Sequence, residues 1–465
     1  MTKVAIIGAG GYVFPLRLIG DVLSFPELQD ATFALMDVNP ETLARTATAA
    51  EDLIAHHGLA ARVEATTDRR RALGGADFVI VTFQVGGLDA YRLDVEIPRR
   101  YGLDQTVGDT LGPGGVFRFL RSAPVYREIA RDMHELCPDA LLINYANPMA
   151  MSCSYLAKLG VRVIGLCHSV QNTTHMLAEV VGVPYDEVRY RVAGINHQAW
   201  ILEFRRGSED LYPRLRAEMA AAHLQKTAPA GVLATDSGDH SEARGQSVYE
   251  GAQERVRTAL MDTFGYFHTE SSHHASEYLP YFRKNAALVN EYIPERWDYL
   301  EVCLAHDDAG LEGLQARLKA ELKPSLEYGA KIIHAAVTGV PAVVYGNVPN
   351  TGLIPNLPDG CCVEVACLVD ENGVQPTQQP PLPPQLAALN RTNINVQELA
   401  VAAALTGNRE HVLHAVALDP LTGALLTLSQ IREMVDELVQ AQRAWLAPEL
   451  VTAMPVDIRE AVGRP

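Results

Sequence analysis

Residues 3–7 (KVAII) form a short β-branched run that stops at GAGGYV and passes into helical periodicity at about residues 15–24. An unbroken apolar run of this kind reads as a strand buried on both faces of a parallel sheet. The unit recurs. Residues 32–36 form a second strand ending at Asp37, residues 40–57 carry helical periodicity, and DFVIVTF (77–83), ALLINY (140–145) and VRVIGL (161–166) read as further strands. Strands that alternate with helices require crossovers, so residues 1–190 are predicted to form a Rossmann-type, doubly wound parallel sheet.

The pattern then changes. Residues 187–204 read as strand, bend, strand, 211–228 as helix and 237–246 as loop. Amphipathic segments follow at 285–335, strands at 341–345 and 362–369, and helical periodicity at 390–447. The proline-rich stretch PTQQPPLPPQ (376–385) is expected to be a surface turn. Residues 191–465 are therefore predicted to form an α+β lobe serving substrate, metal and oligomerisation. The whole fits a lactate/malate dehydrogenase-like architecture.

Composition removes several classes of function. A formal net charge of −17 argues against nucleic acid or an anionic membrane as partner, since both demand a basic surface. No apolar run is long enough to span a bilayer, and the N-terminal apolar run is too short for a signal peptide. Seven cysteines, an odd number in a long chain, suggest free thiols in a reducing cytoplasm.

The first motif with chemistry is GAGGYV. Gly8, Gly10 and Gly11 follow a strand and precede a helix, where glycines let a pyrophosphate approach the helix N-terminus. Val13 holds the third glycine position, so the match to the dinucleotide fingerprint is partial. Asp37 can accept from the ribose hydroxyls and would repel a 2′-phosphate, which favours NAD over NADP. TFQVGG supplies a second close-approach turn, with Gln84 and Gly86 as candidate cofactor contacts. These features alone suit an NAD-dependent 2-hydroxyacid dehydrogenase or a non-catalytic dinucleotide-sensing module.

Further strand ends carry a second set of residues. GDTLGPGGVFRFLR brings Asp109, NYANPMAM brings Asn147, GLCHS brings Cys167 and His168, and GINH brings Asn196 and His197. Open α/β sheets bind ligands beyond the carboxyl ends of their strands. A thiolate, an imidazole and nearby oxygens there could hold a divalent transition metal with positions left for substrate.

These motifs, with ALMDVNP, RYRVAGINH, GYFHTESS, YGNVPNTGLIPNLPDGCCVEVACLVD and TNINVQ, resemble glycoside hydrolase family 4, the NAD- and manganese-dependent glycosidases, nearly end to end. The likeness is closest to the melibiase-type α-galactosidases, in which Cys-His stands where the phosphosugar branches have Cys-Asp. The resemblance implies a redox-assisted elimination, an exception to the two-carboxylate scheme. NAD⁺ takes hydride from C3 of the sugar, a base removes the acidified C2 proton, and the C1 group departs. Water then adds and the hydride returns, while Mn²⁺ holds O2 and O3 as a Lewis acid.

By the same resemblance, Cys167 and His197 are metal ligands and Asn147 binds substrate, with Asn196 and His274 beside it. His168 protonates the leaving oxygen, and Asp109 orients substrate or a metal-bound water. Tyr278 is the expected C2 base, with His274 or a metal-bound hydroxide as alternatives. The expected substrate is an unphosphorylated α-galactoside, with α-galacturonides and α-glucosides as near alternatives. A homo-oligomer is expected.

Overall fold

The apolar runs become the centre of one sheet. A computed structural model describes residues 1–225, 254–305 and 309–452. Six strands, β1 (Lys3–Ile7), β2 (Thr32–Met36), β3 (Arg62–Thr66), β4 (Phe78–Val81), β5 (Leu141–Asn144) and β6 (Val163–Gly165), lie parallel in the order 3-2-1-4-5-6. This is the doubly wound dinucleotide-binding order, whose switch point falls between β1 and β4. The register matters more than the order. Ile7 pairs with Val81, Val81 with Asn144 and Asn144 with Gly165, so these strands end in one row. Every residue just beyond that row opens onto the same edge of the sheet.

β3 was not expected from the sequence. It is an edge strand with the pattern Arg-Val-Glu-Ala-Thr, largely exposed. A strand covered on so few sides needs no apolar run, and charged residues protect its open edge.

The sheet continues past β6 with antiparallel neighbours: β7 (Val188–Ile195), β8 (Gln198–Arg206), β9 (Glu209–Asp210), β10 (Phe267–His268), β11 (Ala342–Pro349), β12 (Cys362–Asp370) and β13 (Gly373–Pro376). Its path runs β6-β11-β12-β7-β8-β10, with β9 and β13 paired at the side. Residue 190 lies inside β7, so one hydrogen-bonded sheet runs across the two predicted parts.

Helices cover both parts. The segment expected to be helical at 211–228 is helix over Tyr212–Gln225, its remainder lying outside the described residues, as does the loop expected at 237–246. The proline-rich stretch is no simple surface turn: Gln379 and Leu382 are buried, held by backbone bonds to Leu353 and to the Asn356 side chain. The C-terminal helix Leu428–Gln442 reaches back to the first part. Its Gln442 joins a buried pair in which Arg121 and Asp94, both fully buried, meet at 2.6 Å. All seven cysteines are free thiols. Among the described residues, no helix is long and apolar enough to cross a membrane.

Candidate active site

A cleft of about 330 Å³ lies along the row of strand ends, lined by groups that include Gly11, Gln84, Asp109, Arg118, Asn147, Cys167, His168, His197, Glu270 and His274. At one end is the glycine turn. Gly8 has φ +96°, and a Cβ there would lie 2.6 Å from the Phe83 nitrogen, so β1 and β4 meet too closely for any side chain. The Gly10 N–H donates to Asp37 Oδ2 at 2.8 Å, which ties the turn to the carboxyl end of β2. Gly11 faces the cleft where the helix Val13–Leu23 begins. Gly86 caps the helix Gly87–Arg100, and Gln84 bonds the Gly87 carbonyl and accepts from Arg118 at 3.0 Å.

At the other end three elements converge. The end of β6 delivers Cys167 and His168. Gly165 packs against the helix Met149–Lys158 so tightly that a Cβ would strike Met149 and lie 2.6 Å from the Cys153 sulfur. The two-residue turn between β7 and β8 delivers His197, whose backbone is held at φ +59°, a conformation that non-glycine residues keep only when their surroundings impose it. The third element is β10, whose His268 pairs with Trp200 of β8 and so returns Glu270 to His197. Cys167 Sγ, a ring nitrogen of His197 and a carboxylate oxygen of Glu270 all lie within 4.8 Å of one another.

Glu270 is the functional candidate that sequence reasoning missed. It lies in the GYFHTESS motif, and a carboxylate after a short strand was a usable signal. Its carboxyl is pushed up by burial, but the neighbouring His197 and His274 outweigh this and hold it below its ordinary value. Cys167 is the opposite case. Burial, with Glu364 and Glu270 nearby, pushes its thiol up to about 12. A buried thiol of that kind, an imidazole and an ionised carboxylate form an N, O, S donor set that a divalent transition cation fits, since the cation supplies the charge that ionises the thiol.

Asp109 and Asn147 meet in the lining of the cleft. Asn147 donates to Asp109 Oδ2 at 3.4 Å, and an Arg118 nitrogen lies 3.7 Å from the same oxygen. Asp109 Oδ1 is buried without a hydrogen-bond partner. His168 is held through Nδ1 by Glu327 Oε1 at 2.8 Å, a contact not expected from the sequence.

Gly8, Gly10, Asp37 and Gly86 of the expected cofactor site do not themselves line the cleft, and two expected catalytic or substrate-binding residues also stand elsewhere. Tyr278 does not line the cleft. It is 1% exposed, its hydroxyl lies 2.7 Å from Thr110 Oγ1, and burial raises the phenol well above its ordinary value. A phenol so placed keeps its proton, and the aromatic and helical surroundings of 272–278 account for its burial. Asn196 is also buried behind the cleft, in the β7–β8 turn. His274 does line the cleft, bonded to the His197 ring at 2.9 Å.

Fold and site together define a Rossmann-type α/β protein with a Cys167, His197 and Glu270 cluster at its strand ends that could hold a cation. Residues 3–183 match the model for family 4 glycosyl hydrolases, and residues 192–422 match that for the family 4 glycosyl hydrolase C-terminal domain. The chain therefore belongs to family 4 of the glycosyl hydrolases. It is 40% identical to an α-galactosidase of Bacillus subtilis (strain 168), over 96% of this chain and 99% of that protein. The crystal structure of lplD from Bacillus subtilis has a TM-score of 0.81 at 31% identity, covering 94% of this chain and 99% of that one. A 6-phospho-α-glucosidase from gut microorganisms, solved in complex with NAD and Mn²⁺, has a TM-score of 0.76 at 20% identity, over 96% of this chain and 99% of that one.

Proposed function

We propose that this protein is an α-galactosidase that hydrolyses terminal, unphosphorylated α-galactosides with NAD and a divalent cation, Mn²⁺, as cofactors. The observation that carries the reading is that one cleft is lined both by Gly11 of the glycine turn and by Cys167, His197 and Glu270. The α-galactosidase relative supports the sugar, and the NAD and Mn²⁺ complex of the structural relative supports the cofactors. The lining supports an unphosphorylated sugar as well. Its sole arginine or lysine among the described residues is Arg118, which is engaged by Asp109, Gln84 and the Asn147 carbonyl. Among the described residues no further arginine or lysine lines the cleft to take a phosphate.

In this reading Gly8, Gly10, Gly11 and Asp37 receive the dinucleotide, and Cys167, His197 and Glu270 hold the cation. When bound, NAD would supply the hydride acceptor and donor for C3 of the sugar, and the cation held by Cys167, His197 and Glu270 would supply Lewis-acid polarisation of the C3 oxygen. The remaining steps belong to side chains of the protein. Asn147 and Arg118 orient Asp109, whose unpaired Oδ1 takes the C2 proton in place of the withdrawn Tyr278. The C2 electron pair then forms the C1–C2 double bond as the C1–O bond breaks. His168, held by Glu327, gives its proton to the departing oxygen; a carboxylate 2.8 Å from Nδ1 orients the ring. Water adds at C1 and the C2 proton is replaced.

The test is a panel of aryl α-galactoside, α-glucoside and α-galacturonide, assayed with NAD⁺ and Mn²⁺. Aryl release fastest from the galactoside, dependent on both cofactors, is expected. Faster release from another sugar would reassign the substrate. Net NADH from lactate or malate, without aryl release, would overturn the reading. The assignment of Asp109 predicts that Asp109→Asn abolishes exchange of C2 deuterium with solvent; retained exchange would refute it.

A further inference from the structure

His197 presents its two ring nitrogens in different directions. Nε2 lies 3.6 Å from Glu270 Oε2, and Nδ1 lies 2.9 Å from Nε2 of His274. Two neutral imidazoles share a hydrogen bond only if one supplies N–H and the other a lone pair. Which ring does which is decided further back.

His274 Nδ1 is buried without a hydrogen-bond partner, and Glu277 Oε2 stands 3.4 Å from it. Glu277 is 1% exposed and cannot turn away. Its carboxylate accepts from the Thr106 N–H at 2.5 Å, the Thr106 hydroxyl at 2.8 Å, the Val107 N–H at 2.8 Å and the Gly108 N–H at 3.0 Å. A carboxylate so surrounded by donors is an acceptor on every side, so the His274 nitrogen that faces it must carry hydrogen. The other His274 nitrogen, Nε2, is then a lone pair. Thr110 Oγ1, 2.8 Å from the same Nε2 and 2.7 Å from the Tyr278 hydroxyl, fits as a second donor to it. His197 Nδ1 must therefore carry the hydrogen, which leaves Nε2 of His197 as a lone pair directed to the side of Glu270. The reverse order would set a His274 lone pair against the Glu277 carboxylate and put hydrogen on the nitrogen facing the cation ligands.

We infer that Glu277 and His274 are positioning residues that fix the tautomer of His197, presetting its Nε2 as a cation ligand from a carboxylate anchored in the loop Thr106–Gly108. The inference rests on the reading of Cys167, His197 and Glu270 as the cation site. Partners of this kind typically change cation affinity by about 10–100-fold when removed.

The experiment titrates Mn²⁺ calorimetrically into the full-length wild type, Glu277→Gln, His274→Ala and the double variant, with the cation-free thermal midpoint of each as a check on folding. Each single variant should weaken Mn²⁺ binding by about 10–100-fold. The double variant should be no weaker than the worse single one, because both break one chain. Cobalt substitution adds a second readout: the thiolate charge-transfer band from Cys167 should persist while the bands that report imidazole coordination shift. A merely structural role would leave the Mn²⁺ affinity of the folded variants unchanged or give additive losses, whatever happens to the thermal midpoint. A folded Glu277→Gln protein with wild-type affinity overturns the inference, as does additivity. If Glu277→Gln does not fold, His274→Ala decides alone, since it leaves the Glu277 cradle intact; unchanged affinity then overturns the inference. Wild type that shows no saturable Mn²⁺ binding overturns the cation site itself and the inference with it.

Discussion

Cation binding should expel one proton, and Cys167 should be its source. The thiol is pushed up to about 12 by burial and by the nearby Glu364 and Glu270 carboxylates, so at neutral pH it is protonated in the cation-free protein. A metal ligand must be the thiolate. Glu270 adds nothing to the count, because its surroundings, the neighbouring imidazoles with the Ser271 N–H and Arg257, outweigh its burial and hold its carboxyl below the ordinary value. One proton exchanged per cation has a fixed consequence. Between about pH 7.5 and about pH 8.5, far below the thiol value, the Kd for Mn²⁺ should fall about tenfold per pH unit, or about 1.4 kcal/mol. Calorimetry in two buffers of different ionisation enthalpy counts the proton directly. Cys167→Ser should bind at least about 100-fold more weakly, release no proton and show a flat pH dependence. A wild type that releases no proton, or a serine variant with the same pH slope, would refute the ligand assignment.

Glu270→Gln keeps the acceptor for the Ser271 N–H at 2.9 Å, so cation-free stability should change by less than about 1 kcal/mol while the Mn²⁺-induced rise in Tm is lost; a retained rise would remove Glu270 from the site. Tyr278→Phe should keep hydrolytic activity within about tenfold, whereas a loss of about 10²–10⁴ in kcat would make Tyr278 the base after all. Asp94→Asn breaks a fully buried pair with Arg121 and should destabilise the protein by about 3–5 kcal/mol in denaturant titration; a change below about 1 kcal/mol would show that the pair is dispensable. Glu277 supplies a pH signature. Burial pushes its carboxyl up, but the His274 contact, the Arg283 charge and the loop N–H groups depress it to about 2. A depressed folded value means stability that is present above the ordinary carboxylate range and lost as pH falls toward about 2. The stability gap between wild type and Glu277→Gln should therefore narrow steadily below about pH 4.5, and a constant gap would contradict it.

The parallel half of the sheet was legible because its strands are buried on both faces. KVAII, TFALM and DFVIVTF have no alternative use in a soluble fold, and the glycine turn between β1 and its helix follows from the close approach of Phe83 to Gly8. Cys167 and His197 were legible for a related reason: each follows directly on a strand, and strand ends of such sheets face the ligand. The strand β3 was not legible, because an exposed edge carries no apolar signature. Glu270 was overlooked because its position depends on register. Nothing in the sequence says that His268 pairs with Trp200, yet that pairing alone returns Glu270 to His197. Tyr278 was expected at the site from the resemblance alone, and no residue pattern around it could tell that it is 1% exposed and outside the cleft lining.

The same dependence on register explains why the site holds its shape. Cys167 follows β6, His197 lies between β7 and β8, and Glu270 follows β10, three places on one hydrogen-bonded sheet. None of the three ligands can shift against the others without breaking strand pairs, while each side chain has its own local anchor. Gly165 seats β6 against the helix Met149–Lys158, the positive φ of His197 fixes its turn, and the Ser271 N–H holds the Glu270 carboxylate. Substituting a ligand should therefore weaken the cation without remodelling its neighbours, whereas slipping the β8–β10 pairing would remove Glu270 from the cluster altogether. A site built on a mobile loop would show the reverse, with ligand substitutions compensated by loop movement. That contrast makes cation affinity, rather than stability, the sensitive measure of every residue assigned here.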